Sequence, residues 1–166
     1  MTRATRRTIF GAAAIAAAGA TSMFARKSNV EAKEFPLTLS DQEWRARLNP
    51  EAYRVLRGHG TERAGTSPLD HEKREGTFVC AGCGQKLFDA NAKFDSRTGW
   101  PSFFQPLDGA VATTTDRRFF MTRTEVHCAN CGGHLGHVFP DGPKPTGLRY
   151  CMNGVSMAFT PKAETP

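Results

Sequence analysis

The chain has 166 residues, 39% hydrophobic and 23% charged, which suits one folded domain and excludes a mainly disordered chain. Sixteen Gly and ten Pro call for many turns and favour a β-rich body over a helical bundle. The formal net charge is +6, but residues 1–32 hold +4 of it; the +2 left for residues 33–166 lacks the dense basic footprint of a nucleic-acid binder.

The leader, MTRATRRTIFGAAAIAAAGATSMFA, opens on basic residues, runs through an apolar stretch from Ile9 to Ala20 and ends on small residues. That is the three-part form of a signal peptide. The stretch is shorter than the roughly 20 residues a bilayer-spanning helix takes. Arg6-Arg7 ahead of a mildly hydrophobic, Ala-rich core is similar to a twin-arginine export signal, which would direct the domain to a bacterial periplasm. An uncleaved anchor competes with this reading, as does a mitochondrial presequence, since the first 30 residues contain no acid. Cleavage after Ala25 or after Ala32 both fit. The expectation is a signal peptide over 1–32 and a folded domain over 33–166, with no stable membrane span once the signal is removed. N-terminal sequencing decides it, because an intact Met1 on a cytosolic species refutes export.

Next comes LSDQEWRARL, with Ser40 three residues before Glu43, the spacing of a capping box that starts a helix. Trp44 and Leu48 are four apart and share one inward face. Asn49-Pro50 caps a second short helix through PEAYRVLRG, which Gly58 stops. The polar, turn-forming stretch GHGTERAGTSPLDHEKRE then reads as a wrapping loop. From Gly76 onward, TFVC, KLFD, AKFDS, AVATTT, RFFMTRTEVHC, HLGHVF, LRYCMN and VSMAF are short runs rich in aromatic and β-branched residues. Gly, Pro, Asn and Asp separate them, as between antiparallel strands. The expected architecture is mainly β, with a short helical entry.

Cys80-Ala-Gly-Cys83-Gly84 and Cys128-Ala-Asn-Cys131-Gly132 are near-copies, each following a strand-like run. Two residues between cysteines let one tight turn aim both sulfurs at one ion. The glycine after each pair suits the left-handed backbone such a turn needs. Two hairpin tips can thus supply the four ligands of a tetrahedral Zn2+. A redox pair of the thioredoxin type would need a helix beginning at the first cysteine, whereas QKLFD is strand-like. Disulfides are open to an exported protein, but the repeated turn suits a metal better, and unreactive buried thiols would show no such spacing. A tetrathiolate site leaves no open position for water or substrate, so its metal is structural.

That leaves Cys151, in GLRYCMN. A lone cysteine is more often a small buried hydrophobe than a nucleophile. In a strand, however, Arg149 and Asn153 lie on its own face: a guanidinium there is expected to lower the thiol pKa, and the amide offers a hydrogen bond. His134 and His137 are nearby proton carriers, or else satisfied core positions. Trp100, in TGWPSF, is packing or one wall of a pocket. The residues alone leave both readings of Cys151 open.

KREGTFVCAGCGQKLFDANAKFDSRTGWPSFFQP, RTEVHCANCGGHLGHVFPDGPKPTGLRYCMN and SMAF closely resemble the type-B methionine sulfoxide reductases, which act on the R epimer of methionine sulfoxide. The likeness runs from about Ser40 to Phe159. It implies two antiparallel sheets in a β-tent-like arrangement, with a distal structural zinc on Cys80, Cys83, Cys128 and Cys131. It makes Cys151 the attacking thiolate, His137 the acid and Trp100 a wall around the substrate methyl, with His134, Asn153 and Arg149 orienting substrate or supporting the thiolate. Cys151 would pass through a sulfenic acid. Many members carry a resolving cysteine just before GWPSF; this chain has Thr98 there. The resemblance therefore implies a single-cysteine cycle closed by an external thiol, such as a thioredoxin-like protein, with oxidised protein or peptide as substrate. A non-catalytic zinc-stabilised binding module and a thiol peroxidase are the competing functions.

Overall fold

The computed structural model describes residues 35–163; the leader and both candidate cleavage sites lie outside the described residues. The helical entry forms as its sequence directs. Helix α1, Asp41–Arg47, starts with the full capping box: Ser40 Oγ accepts from the Glu43 N–H, and Glu43 Oε2 accepts from the Ser40 N–H at 2.8 Å. Helix α2, Pro50–Leu56, has Asn49 Oδ1 accepting from the Ala52 N–H at 2.8 Å and Pro50 in its first turn. An added Cβ at Gly58 would stand 2.7 Å from the Arg54 carbonyl oxygen, so the glycine lets the chain turn away here. Trp44 and Leu48 are buried, as their four-residue spacing predicts, and Val55 and Leu56 of α2 are buried with them.

Nine strands follow among the described residues. They are β1 (Gly76–Cys80), β2 (Lys86–Asp89), β3 (Lys93–Phe94), β4 (Ser102–Phe103), β5 (Val111–Asp116), β6 (Arg123–Cys128), β7 (His134–Phe139), β8 (Arg149–Met152) and β9 (Met157–Pro161). They form two antiparallel sheets, ordered β2-β1-β9 and β3-β4-β8-β7-β6-β5. The sheets meet through aromatic side chains: Phe103 of the larger sheet stacks on Phe88 at 4.2 Å between centroids and meets Phe78 edge-on at 4.9 Å. All three are fully buried, and such contacts add to the stabilisation from apolar area alone. Among the described residues no helix is long and apolar enough to cross a membrane.

Two expectations need correction. RFFMTRTEVHC is a strand only from Arg123; Arg118–Phe120 is a single 3-10 turn. The aromatic run suggested continuity, but the chain must reverse there to pair β5 with β6, Asp116 opposite Arg123. The stretch read as a wrapping loop also does more than wrap. It holds a 3-10 turn at Pro68–His71 and buries Glu62 and Ser67. Glu62 accepts from the N–H groups of Gly154 and Val155, so this loop fastens the chain just after β8.

Candidate functional site

Antiparallel register places Cys151 in the middle of the larger sheet. On β8 it lies opposite His137 of β7 on one side and Ser102 of β4 on the other. Directly opposed residues have Cβ atoms about 4.5–5.5 Å apart. Gly136 lets the two strands meet: a Cβ there would be 2.1 Å from the Cys151 carbonyl oxygen and 3.0 Å from Met152 Cα. Cys151 and His137 line one small pocket of about 130 Å³, together with Trp100, Arg123, Phe139 and Asn153. Two larger surface grooves, of about 690 and 650 Å³, contain neither Cys151 nor His137.

The thiol environment corrects the expectation of a lowered pKa. Burial pushes the Cys151 thiol up, and outweighs a hydroxyl contact from Thr98, the Arg149 charge and a contact from Ser102, which all favour thiolate. Arg149 does face the sulfur, but its guanidinium is held in a bidentate pair with Asp141, both bonds at 2.9 Å, and lies over the Phe139 ring. A shared cation polarises its other neighbour less. Around the sulfur runs a chain of hydroxyls: Thr98 Oγ1 is 3.9 Å from Sγ and 2.8 Å from Ser96 Oγ, which is 2.7 Å from Ser102 Oγ. Thr98 thus places a hydroxyl against the sulfur.

His137 is oriented from across the sheet. Its Nε2 is 2.9 Å from Asp116 Oδ2, and Arg123 donates to the same oxygen at 2.7 Å. The hydrogen bond from His137 leads the effects holding the Asp116 carboxyl down at about 2, so Asp116 is an anion and Nε2 carries the proton. Burial pulls the His137 pKa below the ordinary imidazole value, and the Asp116 contact only partly opposes it. The resting ring is therefore neutral, with Nδ1 left as its basic nitrogen.

Two other expected contributors are placed differently. His134 is buried with Nδ1 2.7 Å from Glu125 Oε1, an oxygen that His59 Nδ1 also approaches at 2.8 Å. Its ring packs edge-on against His137 at 5.4 Å, so it supports that ring from behind; it does not line the Cys151 pocket. Asn153 does line it, but its amide is committed to the backbone: Oδ1 accepts from the Glu62 N–H at 2.9 Å, and Nδ2 donates to the Leu135 carbonyl at 2.9 Å. These bonds fix the end of β8, and they leave one N–H and one oxygen lone pair of the amide uncommitted at the pocket. Trp100 stands in the pocket wall as expected, with Nε1 donating to the Glu62 carbonyl at 3.3 Å.

Away from this pocket, the four remaining cysteines converge. Cys80 Sγ lies 3.7 Å from Cys131 Sγ, and Cys83 Sγ 3.6 Å from Cys128 Sγ. Zn–S bonds of about 2.3 Å at tetrahedral corners put sulfurs about 3.8 Å apart. A disulfide would need about 2.05 Å. Gly84 and Gly132 close the two turns at φ 75° and 67°, and each donates its N–H to the carbonyl of the first cysteine of its pair. Donor set and spacing fit a tetrathiolate metal site joining the β1–β2 tip of one sheet to the β6–β7 tip of the other.

The structure thus gathers Cys151, His137, Trp100 and Asn153 at one pocket, sets Arg149 beside the sulfur and places His134 behind His137. Sequence reasoning missed Ser102, Ser96, Asp116, Glu62, Glu125 and Arg123. Asp116 and His137 are separated by a whole intervening strand, so no local pattern marks the pair.

The SelR domain family matches residues 48–161. The chain is 56% identical over 123 residues to "Peptide methionine sulfoxide reductase MsrB" of Agrobacterium fabrum, covering 74% of this chain and 91% of that protein. The protein of the same name from Leptospira interrogans is 52% identical over 126 residues, 75% and 96% of the two chains. That from Methanosarcina mazei is 50% identical over 127 residues, 76% and 91%.

Proposed function

The chain belongs to the SelR family and is a methionine sulfoxide reductase, and from that premise we propose that the Cys151 pocket reduces the R epimer of protein-bound methionine sulfoxide through a cysteine sulfenic acid. The observation that carries the mechanism is the cross-strand pair of Cys151 and His137, with Asp116 on the far side of the imidazole.

In the resting site a thiol faces a neutral imidazole. His137 Nδ1 takes the Cys151 proton as the sulfur attacks, and the imidazolium formed is stabilised by the Asp116 anion, the logic of an oriented base and nucleophile. The proton then goes to the sulfoxide oxygen as the S–O bond of the substrate breaks, so no bare oxide leaves. The hydroxyl ends on Cys151. Substrate sulfur gains two electrons and Cys151 sulfur loses two, giving methionine and a sulfenic acid. Trp100 and Phe139 give apolar contact for the methyl group. Thr98 can donate to the thiolate or the sulfenate but cannot form a disulfide. Two equivalents of external thiol, from a thioredoxin-like protein or a small thiol, return Cys151 to the thiol and release water and a disulfide.

Cys80, Cys83, Cys128 and Cys131 would hold zinc as a structural clamp, with no part in the transfer of oxygen. Residues 1–32 would act as an export signal, so the reductant would have to be delivered outside the cytoplasm; N-terminal sequencing of the native protein tests this.

Cys151→Ser should abolish reduction of the sulfoxide. Wild type given one equivalent of sulfoxide without thiol should yield a Cys151 adduct with a sulfenic-acid trap, and an intramolecular disulfide to Cys151 in mass spectrometry would refute the cycle. The wild-type rate should fall as acid protonates His137, on the acid side of the ordinary imidazole range because burial lowers its pKa, and hold past neutrality because burial keeps Cys151 protonated. Asp116→Asn removes a contact that raises the His137 pKa, so that acidic limb should move to lower pH while kcat drops by about 100-fold. An unchanged profile would remove Asp116 from the mechanism. Chelation should strip zinc from the reduced protein and lower its thermal midpoint, whereas a zinc-free preparation of equal stability would rule out the clamp.

A further inference from the structure

Among the described residues, Phe120 and Met121 are the large hydrophobic side chains left exposed, Phe120 completely. Phe120 also holds a φ of 58°, in the left-handed region that bulky side chains rarely adopt. A residue that is strained and packs on nothing contributes little to the fold. Both lie in the turn between β5 and β6, beside the exposed Arg117 and Arg118.

Both ends of this turn are fastened to the catalytic pocket. Asp116, before it, holds His137 Nε2 at 2.9 Å and accepts from the Arg118 N–H at 3.0 Å. Arg123, after it, pairs with Asp116 at 2.7 Å and lines the pocket with Cys151. A chain reaches at most about 3.5 Å per residue, so Phe120 stands within roughly 10 Å of Arg123 and 14 Å of Asp116. An extended peptide advances about 3.3 Å per residue. The tip is therefore within reach of residues two to four positions from a sulfoxide seated against Cys151.

We propose that this tip is the docking surface for the polypeptide part of the substrate, an inference that rests on the reductase reading above. Phe120 and Met121 receive an apolar side chain two to four residues from the oxidised methionine. Arg117, exposed at the tip, favours an acidic neighbour, and the half-exposed Arg118, only 3.8 Å from an Asp116 already bonded to His137 and Arg123, adds to the positive field there. Charge argues against a second copy as the occupant, since two such tips would bring like charges together. An unfolded segment, with its apolar residues uncovered, matches the surface.

The test compares kcat/KM of the full chain on N-acetyl-methionine R-sulfoxide and on a peptide carrying Phe and Asp three and four residues from the sulfoxide. The peptide should be favoured by about tenfold, mainly through KM. Phe120→Ser and Met121→Ser should each shrink that preference about fivefold, and Arg117→Ser with Arg118→Ser should remove its salt dependence. Equal kcat/KM for the two substrates would overturn the docking surface while leaving the reductase intact. Failure to turn over either would overturn the reductase reading itself. A preference that survives all four substitutions, or a tip that instead drives concentration-dependent dimerisation or binding to anionic vesicles without peptide preference, would also refute it.

Discussion

The pairing of β7 with β8 is the constraint on which the site depends. It sets His137 opposite Cys151 and Phe139 opposite Arg149, so imidazole, sulfur, cation and an apolar wall come from two neighbouring strands. Side chains alternate between faces with a period of two, and a slip of one residue would turn Cys151 into the core and bring Met152 out. Met152 is fully buried, so the core itself resists that slip. Gly136 secures the same register by a different route, since any Cβ there would collide with β8.

Around this pair, burial and polarity pull in opposite directions. The low-dielectric setting that shapes the pocket raises the thiol and lowers the imidazole, leaving both uncharged at rest. Such a pair exchanges one proton without either partner having to carry an isolated buried charge before substrate arrives. Asp116 stays ionised, fixes the tautomer of His137 and, in the proposed mechanism, would offset the imidazolium. On the sulfur side the hydroxyls of Thr98 and Ser102 favour the thiolate, and Ser96 links the two. A cysteine in place of Thr98 would sit where a disulfide could follow; a threonine leaves only a hydrogen bond.

The two sheets supply different things. The larger sheet carries Cys151 and His137, while the smaller one backs it through Phe78 and Phe88 and contributes one of the two cysteine turns. Glu62, a buried acid in the long connection after α2, clamps the chain beyond β8, and its burial raises its pKa against the help of two backbone N–H groups. Asn153 ties the same turn to Leu135 of β7. The polar residues nearest Cys151 in sequence are thus spent mainly on holding strands in place.

Much of this was legible in the chain as text. The capping box at Ser40, the two Cys-x-x-Cys-Gly turns and the alternation of HLGHVF and LRYCMN each state a local geometry that backbone sterics and hydrogen bonding enforce over a few residues. Family likeness added the reductase assignment and singled out Cys151, His137 and Trp100. Tertiary structure alone decided what depends on distance through space: that Asp116 reaches His137 across β6, that Asp141 takes much of the Arg149 charge, and that burial outweighs the remaining attraction on the Cys151 sulfur. Desolvation and cross-sheet hydrogen bonds depend on which segments pack together, and residue spacing along a strand carries no record of that.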